Sequence, residues 1–380
     1  MLKYYKLIIN KNMNNKKRNL TSIIIVCALV IIVIGLSVWQ KAISPRGDIK
    51  VAYVSSLSGD AGVWGQSLQK GFDFALNEIN AKGGINGRKI TAVYEDDKCD
   101  AATGVTAFNK VIGIDGVKYI TGTVCSSVAM SVEKNTQANG VFYVASGATD
   151  PEVTKQGNGL VFRPWASDAY DAQEVGRDLI STFGLKKVSV ISMSDIPSGE
   201  AIKNTFKDAV VANGGQVVSE EMVVSTNKDI KTSVMKLIDS SPEGVYIASL
   251  PDQTVLIISQ LKALGYKGKI FVYSASAASE GFATKVKNKD SVFYVFPVTN
   301  QETNFWNDYK TQTGTNADLL VALGYDSMNM IADGIKSCGE NNTCIRDYFI
   351  NVENYQMSRG KVSFDKYGDV SGLKYEIKAL

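Results

Sequence analysis

Residues 49–90 read IKVAYVSSLSGDAGVWGQSLQKGFDFALNEINAKGGINGRKI, and they contain the elements that decide the fold. The run from Ile49 to Ser56 has the β-branched and aromatic residues typical of a buried strand. From Gln66 to Asn80 the apolar residues recur at helical spacing, which predicts an amphipathic helix. Lys82-Gly83-Gly84 predicts the end of that helix, and Lys89 to Tyr94 is the next expected strand. This stretch therefore opens a βαβ unit.

The alternation of strand and helix continues along the rest of the chain. Val105 to Ile114 is expected to be helical, and Val117 to Thr121 extended. The pattern restarts after Arg163-Pro164-Trp165 and runs to the C-terminus. Alternating elements of this kind predict parallel sheets covered by helices. With 380 residues the chain exceeds one typical core. We therefore expect an α/β protein with two open, doubly wound sheets in series.

Charge and composition exclude several classes of function. Residues 1–47 hold eight of the 41 basic residues and no acidic one, so the remainder carries 33 basic against 38 acidic residues. This balance argues against a nucleic-acid partner, which needs a concentrated basic surface. The sequence has no histidine, which removes Ser-His-Asp catalysis and imidazole metal sites. We therefore expect that the protein is not an enzyme and that it binds no metal and no cofactor.

The N-terminal segment predicts export. Residues 20–39 (LTSIIIVCALVIIVIGLSVW) carry no charge and match the thickness of a bilayer core. The basic segment 1–19 ends in Lys16, Lys17 and Arg18, which the positive-inside rule keeps in the cytoplasm. We expect a transmembrane anchor at 20–39 and a linker at 40–47, with the rest of the chain outside. A cleaved signal peptide, which would release a periplasmic or secreted protein, is the alternative.

Four cysteines follow the apolar segment: Cys99, Cys125, Cys338 and Cys344. An even number in an exported chain suggests disulfides. A Cys338–Cys344 bond would close a small loop, and a Cys99–Cys125 bond would join two loops of the first sheet. Reduced structural thiols are the alternative interpretation.

One family resembles this sequence closely. The stretch from Ile49 to Ile90, together with DDKCDA, TVCSS and SGATDPEVT, is similar to the branched-chain amino-acid-binding proteins of ABC importers. The similarity continues more thinly through ALGYDSMNMIADGI and VSFDKYGDVSG. The resemblance implies the type I periplasmic-binding-protein fold, in which two lobes are joined by three crossovers and close on a small ligand. It places the first lobe at 48–167 and 298–365, and the second lobe at 168–297 and 366–380.

The resemblance also implies a set of ligand-binding residues in the first lobe. It assigns Ser126 and Thr149 to the ligand's α-carboxylate, with backbone groups from Gly147 and Ala148. Trp64 stands where the family often has an aromatic pocket residue. The residues themselves support a carboxylate site, because Cys125-Ser126-Ser127 lies between a strand and a helix, where N–H groups and hydroxyls meet an anion. A serine that only caps the helix is the alternative.

The second lobe departs from the family pattern. Ser198, Leu250 and Ser276 occupy its expected binding positions, and Leu250 replaces a tyrosine. Where the leucine-binding relatives have an acidic partner for the ligand's ammonium group, this sequence has Ala275 or Ser276. The acids nearby that remain as candidates are Asp195, Asp252 and Glu280. Either one of them pairs with the ammonium group, or the ligand is not a standard amino acid.

These observations lead to one expected function and two alternatives. We expect an exported, membrane-anchored solute-binding protein that delivers an amino acid or a similar small carboxylate or amide to an ABC permease. The first alternative is a sensory ectodomain on the same fold, although only nineteen residues precede the apolar segment. The second is a carboxylate-dependent enzyme, which would need two acids converging in the pocket.

Overall fold

The computed structural model describes residues 47–380 except 60, 158, 197, 278, 280 and 299–302. The expected anchor at 20–39 and the candidate acid Glu280 lie outside the described residues. Within the described part, no helix has both the length and the apolar character of a membrane span. Residues 49–380 form one compact unit.

The first sheet holds five parallel strands in the order β2-β1-β3-β4-β5. Its strands are β1 (Ile49–Ser55), β2 (Ile90–Asp96), β3 (Tyr119–Gly122), β4 (Phe142–Ala145) and β5 (Val161–Phe162). The helices between them are α1 (Gly62–Ala81), α2 (Ala101–Gly113), α3 (Ser126–Ala138) and α4 (Glu152–Lys155). One face of the sheet is covered by α2 and α3, whose Phe108 and Val132 are buried against Val54 and Tyr143.

The second sheet holds six strands in the order β14-β10-β9-β8-β6-β7. Its strands are β6 (Lys187–Met193), β7 (Gln216–Val223), β8 (Gly244–Ala248), β9 (Lys269–Val272), β10 (Val292–Pro297) and β14 (Tyr375–Ala379). The helices are α5 (Asp168–Ser181), α6 (Gly199–Ala212), α7 (Lys231–Asp239), α8 (Pro251–Ala263), α9 (Ser274–Ala277) and α10 (Phe282–Lys285). All pairs are parallel except β10 with β14, so this sheet is mixed.

The C-terminal region returns to the first sheet. Helices α11 (Asn304–Thr313), α12 (Leu319–Cys338) and α13 (Asn342–Asn351) precede a small antiparallel sheet of β11 (Tyr355–Met357), β12 (Gly360–Phe364) and β13 (Val370–Ser371). Helix α12 packs on α1 at very close range. A Cβ added at Gly71 would lie 1.8 Å from the carbonyl oxygen of Val321, and one at Gly324 would lie 1.9 Å from that of Leu68. Both glycines are therefore required by the helix crossing.

The chain passes between the two sheets three times: after β5, after β10 and between β13 and β14. The first crossover follows Arg163, whose isolated bridge to Asp369 ties β5 to the loop before β13. Trp165 packs on Phe296 near the second crossover, with ring centroids 5.8 Å apart. The carboxyl ends of the parallel strands are the usual place for a ligand in such sheets.

Candidate functional site

Ser126 joins two loops at the carboxyl edge of the first sheet. It is the first residue of α3, and its Oγ accepts hydrogen bonds from the backbone N–H groups of Thr149 and Asp150, both at 3.1 Å. The cap position of the helix belongs to Cys125, which makes no side-chain capping bond. The Ser126 hydroxyl is therefore not a simple N-cap; it holds the loop after β4 against the start of α3. Ser127 is exposed in the same helical turn.

The loop after β4 carries the other predicted carboxylate ligands. Ala148 is buried, whereas Gly147 and Thr149 are half-buried. The described residues provide no hydrogen-bond partner for the Thr149 hydroxyl. The first backbone N–H groups of α3 also lack an acceptor within the helix, as at the start of any α-helix. The structure thus brings Ser126, Gly147 and Thr149 together beside a helix N-terminus, where a carboxylate is stabilised.

Arg163 supports this loop, a role that the sequence analysis does not predict. Its fully buried guanidinium donates to the backbone carbonyl oxygens of Ala148, at 3.1 Å, and Asp150, at 2.6 Å. The other side of the guanidinium pairs with Asp369, with Nη2 2.9 Å from Oδ2. Arginine can bind both partners at once because its planar guanidinium carries several N–H donors that point in different directions. The only local signal is one charge inside the apolar run LVFRPW.

The two expected cysteine pairs lie at bonding distance. Cys99 and Cys125 have Cα atoms 5.5 Å apart, and Cys338 and Cys344 have Cα atoms 5.6 Å apart. The first pair links the loop after β2 to the residue before Ser126. Cys99 itself is held by its N–H, which donates to Asp97 Oδ1 at 2.8 Å.

Trp64 lies in the first turn of α1, near the end of β1. Its side chain is 52% exposed, which is unusual for so large an apolar group and leaves the indole available to a ligand. The backbone beneath it is fixed, because the Tyr53 hydroxyl donates to the carbonyl oxygen of Gly65 at 2.6 Å.

The predicted residues of the second sheet share its carboxyl edge. Ser198, Leu250 and Ser276 follow β6, β8 and β9, which are neighbours in the sheet. Ser198 is buried beside the start of α6, and the Ser276 hydroxyl donates to the carbonyl oxygen of Ser249. Leu250 is 47% exposed at the start of α8. Leu250 therefore presents the most accessible apolar surface of the three.

Two of the candidate acids have partners on the surface. Asp195 accepts from the backbone N–H and hydroxyl of Ser225, at 2.9 and 2.6 Å, and these bonds lower its pKa. Asp252 pairs with Lys285 at 2.9 Å, and its side chain is 86% exposed. Neither is enclosed in the way that a buried ammonium group requires.

Two buried acids at the first crossover were missed by the sequence analysis. Asp168 and Asp171 are only 5% and 4% exposed, and both lie on the first turns of α5. The backbone N–H of Asp168 donates to the carbonyl oxygen of Thr149 at 2.9 Å, and its carboxylate accepts from the Tyr273 hydroxyl. Acidic residues are common in the first turn of a helix, because they interact favourably with its N-terminus. The local sequence therefore does not show that these two acids have a special role.

The arrangement of acids does not suggest a metal centre. Among the described residues, no group of three or more cysteine, aspartate or glutamate side chains is placed to hold a metal ion. The polar groups at the two edges are hydroxyls, backbone N–H groups and carboxylates, which are able to hold a small ligand by hydrogen bonds and charge.

Two open α/β sheets joined by three crossovers, with polar loops at the carboxyl edge of each, define a two-sheet class of ligand-binding protein. The chain belongs to the periplasmic binding protein family, whose sequence profile matches residues 48–368.

Curated relatives support the same placement. The chain is 26% identical over 341 residues to a Leu/Ile/Val-binding protein of Citrobacter freundii, covering 87% of this chain and 90% of the relative. It is 25% identical over 333 residues to a leucine-, isoleucine-, valine-, threonine- and alanine-binding protein of Pseudomonas aeruginosa, covering 87% and 89%.

A solved structure shares the fold. A leucine-binding protein of Thermotoga maritima superposes with a TM-score of 0.74 at 21% identity, covering 87% of this chain and 95% of that one. The expected two-sheet α/β fold is confirmed, with one correction: the second sheet is mixed because β14 runs antiparallel at its edge. The transmembrane helix expected at 20–39 stays a prediction.

Proposed function

We propose that this protein is an extracytoplasmic solute-binding protein of an ABC importer, and that its ligand is a branched-chain or related amino acid. The names of its relatives support an amino-acid ligand. The observation that carries the proposal is the junction of Ser126 with the backbone of Thr149 and Asp150 at the N-terminus of α3. Delivery to a permease belongs to the same proposal.

The ligand's carboxylate is proposed to bind at this junction. The N-terminus of α3 supplies partial positive charge and N–H donors, and Thr149 supplies a hydroxyl. Ala148 contributes its backbone N–H in the same loop, whereas the N–H of Gly147 already donates to the carbonyl oxygen of Thr123 at 3.2 Å. No cationic side chain is required, since a helix N-terminus stabilises an anion by itself.

The ligand's ammonium group is proposed to bind near Asp168. The backbone N–H of Asp168 donates to the carbonyl oxygen of Thr149 at 2.9 Å, which places the two residues side by side. The carboxylate of Asp168 is buried and accepts a hydrogen bond from Tyr273, which holds it in place. A buried ammonium group needs such a partner, because an unpaired charge out of water is costly. Asp195 and Asp252 are less suitable because they are exposed and paired elsewhere.

The ligand's side chain is proposed to contact Trp64 from the first sheet and Leu250 from the second. Both are large apolar groups with half of their surface exposed. In this proposal residues 48–167 and 298–365 form one lobe, residues 168–297 and 366–380 form the other, and closure buries both side chains. Burial of about 100 Å² of apolar surface on each would contribute a few kcal/mol to binding.

Export is part of the proposal. The two cysteine pairs fit an oxidising compartment. Residues 20–39 are proposed to anchor the protein to the outer face of the cytoplasmic membrane, with signal cleavage as the alternative.

Three probes that differ by one group test the proposal. Leucine has both charged groups, 4-methylpentanoate lacks the ammonium group, and 3-methylbutylamine lacks the carboxylate. Calorimetry and thermal shift should show tightest binding of leucine, weak binding of the acid and none of the amine. Ser126→Ala should bind leucine more weakly. Its matched control is Ser131→Ala, on the same helix but exposed, which should bind leucine normally. Absence of stabilisation by any amino acid would contradict the proposal.

A further inference from the structure

The acid one helical turn beyond Asp168 is enclosed but incompletely paired. Asp171 is 4% exposed, and Ser274, at the start of α9, acts on its carboxyl and lowers its pKa. Among the described residues its Oδ2 has no hydrogen-bond partner. A carboxylate needs several donors to remain charged when buried. The geometry therefore provides too few donors for the ionised form.

The groups that face Asp171 from the packed elements are mainly tyrosines. Tyr246 on β8 and Tyr375 on β14 both approach it, and in the described structure neither hydroxyl has a hydrogen-bond partner. Tyr273 follows β9 and donates to Asp168 instead. Phenols at neutral pH are uncharged, so this side of Asp171 is polar but supplies no cation.

The charged neighbours of Asp171 on its own helix are acidic. Asp168 and Glu174 both act on its carboxyl, three residues before and three residues after it. Arg177 is engaged further along α5, where it pairs with Glu174 at 2.6 Å and Asp178 at 3.0 Å. Arg359 acts on Tyr375 and pairs with Asp326 at 3.5 Å. Burial first, and then these carboxylates, raise the pKa of Asp171 to about 7.

Asp168 and Asp171 are three residues apart on α5, so they lie on the same face of the helix and interact. A cation placed against Asp168 acts on Asp171 through a low-dielectric interior, where charges are felt strongly. The ammonium group of the proposed ligand is such a cation.

We propose that capture of an amino acid releases a proton from Asp171. At pH 6.5, most molecules of the empty protein hold a proton on the carboxyl of Asp171. When the ligand's ammonium group binds beside Asp168, the O–H bond of Asp171 breaks, the electron pair stays on the carboxylate, and the proton passes to water. The bound state then has two carboxylates facing one ammonium group. This inference rests on the proposed function, because it requires a ligand with an ammonium group.

The consequence is that acid weakens binding. Below the pKa that Asp171 has in the empty protein, its carboxyl must lose a proton before the favourable bound state forms. The affinity for the ligand therefore falls by up to about tenfold for each pH unit below 7. Above that pKa affinity is independent of this group. A proton released at the membrane surface couples ligand affinity to local acidity.

Calorimetry with leucine tests the inference. Wild-type protein is titrated at pH 6.5 in phosphate and in a buffer of high ionisation enthalpy, and the difference in heat gives the protons released. We expect release of a substantial fraction of one proton by the wild type, and none by Asp171→Asn, whose affinity should be flat with pH. Glu133→Gln removes another buried acid far along α3 and should leave the release unchanged. The acid 4-methylpentanoate, which lacks the ammonium group, should bind without release.

The outcomes separate the two proposals. Leucine binding with no proton release, or with equal release from Asp171→Asn, overturns the inference and leaves the proposed function intact. No leucine binding at any pH overturns both. Circular dichroism of Asp171→Asn shows whether the variant is folded, and Asp171→Ser provides a second variant with a neutral side chain.

Discussion

Arg163 donates a hydrogen bond of 2.6 Å to the backbone carbonyl oxygen of Asp150, and so holds the loop that carries Thr149. The same guanidinium pairs with Asp369, on the loop before β13. The proposed carboxylate site is thereby tied to the loop before β13 of the small antiparallel sheet. A buried side chain thus holds in place the loop of the proposed carboxylate site.

Arg163→Met is expected to lower the free energy of unfolding by about 3–5 kcal/mol, because it leaves Asp369 unpaired in a partly buried position. It should also weaken leucine binding, since the loop loses two hydrogen bonds. Urea denaturation and calorimetry measure both effects. Arg346→Met, whose partner Asp347 is 54% exposed, is the control and should change stability by about 1 kcal/mol or less. Equal stability of the two variants would contradict this role of Arg163.

Thr149 and Ser126 are expected to differ when substituted. Thr149→Val removes one hydroxyl and keeps the shape, so it should weaken leucine binding by about 10–100-fold with little change in stability. Ser126→Ala should weaken binding too, but it also leaves two backbone N–H groups without their acceptor and so destabilises the fold by about 1–3 kcal/mol. Binding and denaturation curves of both variants test the distinction. Normal leucine affinity in Thr149→Val would show that the carboxylate binds elsewhere.

Local patterns were sufficient to predict most of the fold. The strand β1 and the helix α1 are contiguous segments whose periodicity is visible in a short window. Helix α13 was missed because the residues between Cys338 and Cys344 resemble a small loop. In the structure Asn341 caps that helix by accepting from the N–H of Cys344 at 3.1 Å. The helix does bury two apolar residues one turn apart, Ile345 and Phe349, but it begins inside the polar run between the two cysteines, which is typical of a loop.

The candidate site was predictable only in part, and the reason is sequence separation. Ser126 and Thr149 lie in recognisable local motifs. Tyr273 reaches Asp168 across 105 residues, and Arg163 reaches Asp369 across 206. No spacing rule in a single sequence connects such pairs, so the groups at the first crossover emerge only when the sheets are folded.

The Cys99–Cys125 bond is expected to stabilise the protein and its site together. It closes a span of 26 residues, which corresponds to roughly 3 kcal/mol of lost unfolded-state entropy. Replacing both cysteines by serine should lower the melting temperature and weaken leucine binding, because Cys125 precedes Ser126. The Cys338–Cys344 pair spans only six residues and lies away from the site. Its double serine variant is the control, with a smaller stability loss and unchanged affinity; mass spectrometry of the non-reduced protein checks the pairing.

Glu133 is expected to make the fold less stable as pH rises. The side chain is 2% exposed, and among the described residues neither carboxylate oxygen has a hydrogen-bond partner. Burial, with smaller effects of Glu152 and Asp150, raises its pKa from 4.5 to about 8. The folded protein therefore keeps a proton that the unfolded chain releases, and stability falls as pH rises from about 4.5 to about 8.

Glu133→Gln removes this penalty, since glutamine is neutral at every pH and nearly the same shape. The variant should be more stable than the wild type by on the order of 3–5 kcal/mol above pH 8, but by about 1 kcal/mol or less at pH 5, where the buried glutamate is neutral. Urea denaturation of both proteins at pH 5 and pH 9 measures the difference. The two pH values serve as each other's control, because any change in packing acts equally at both. A stability difference that does not grow with pH would mean that Glu133 is ionised in the folded protein and has partners that this arrangement of α3 does not provide.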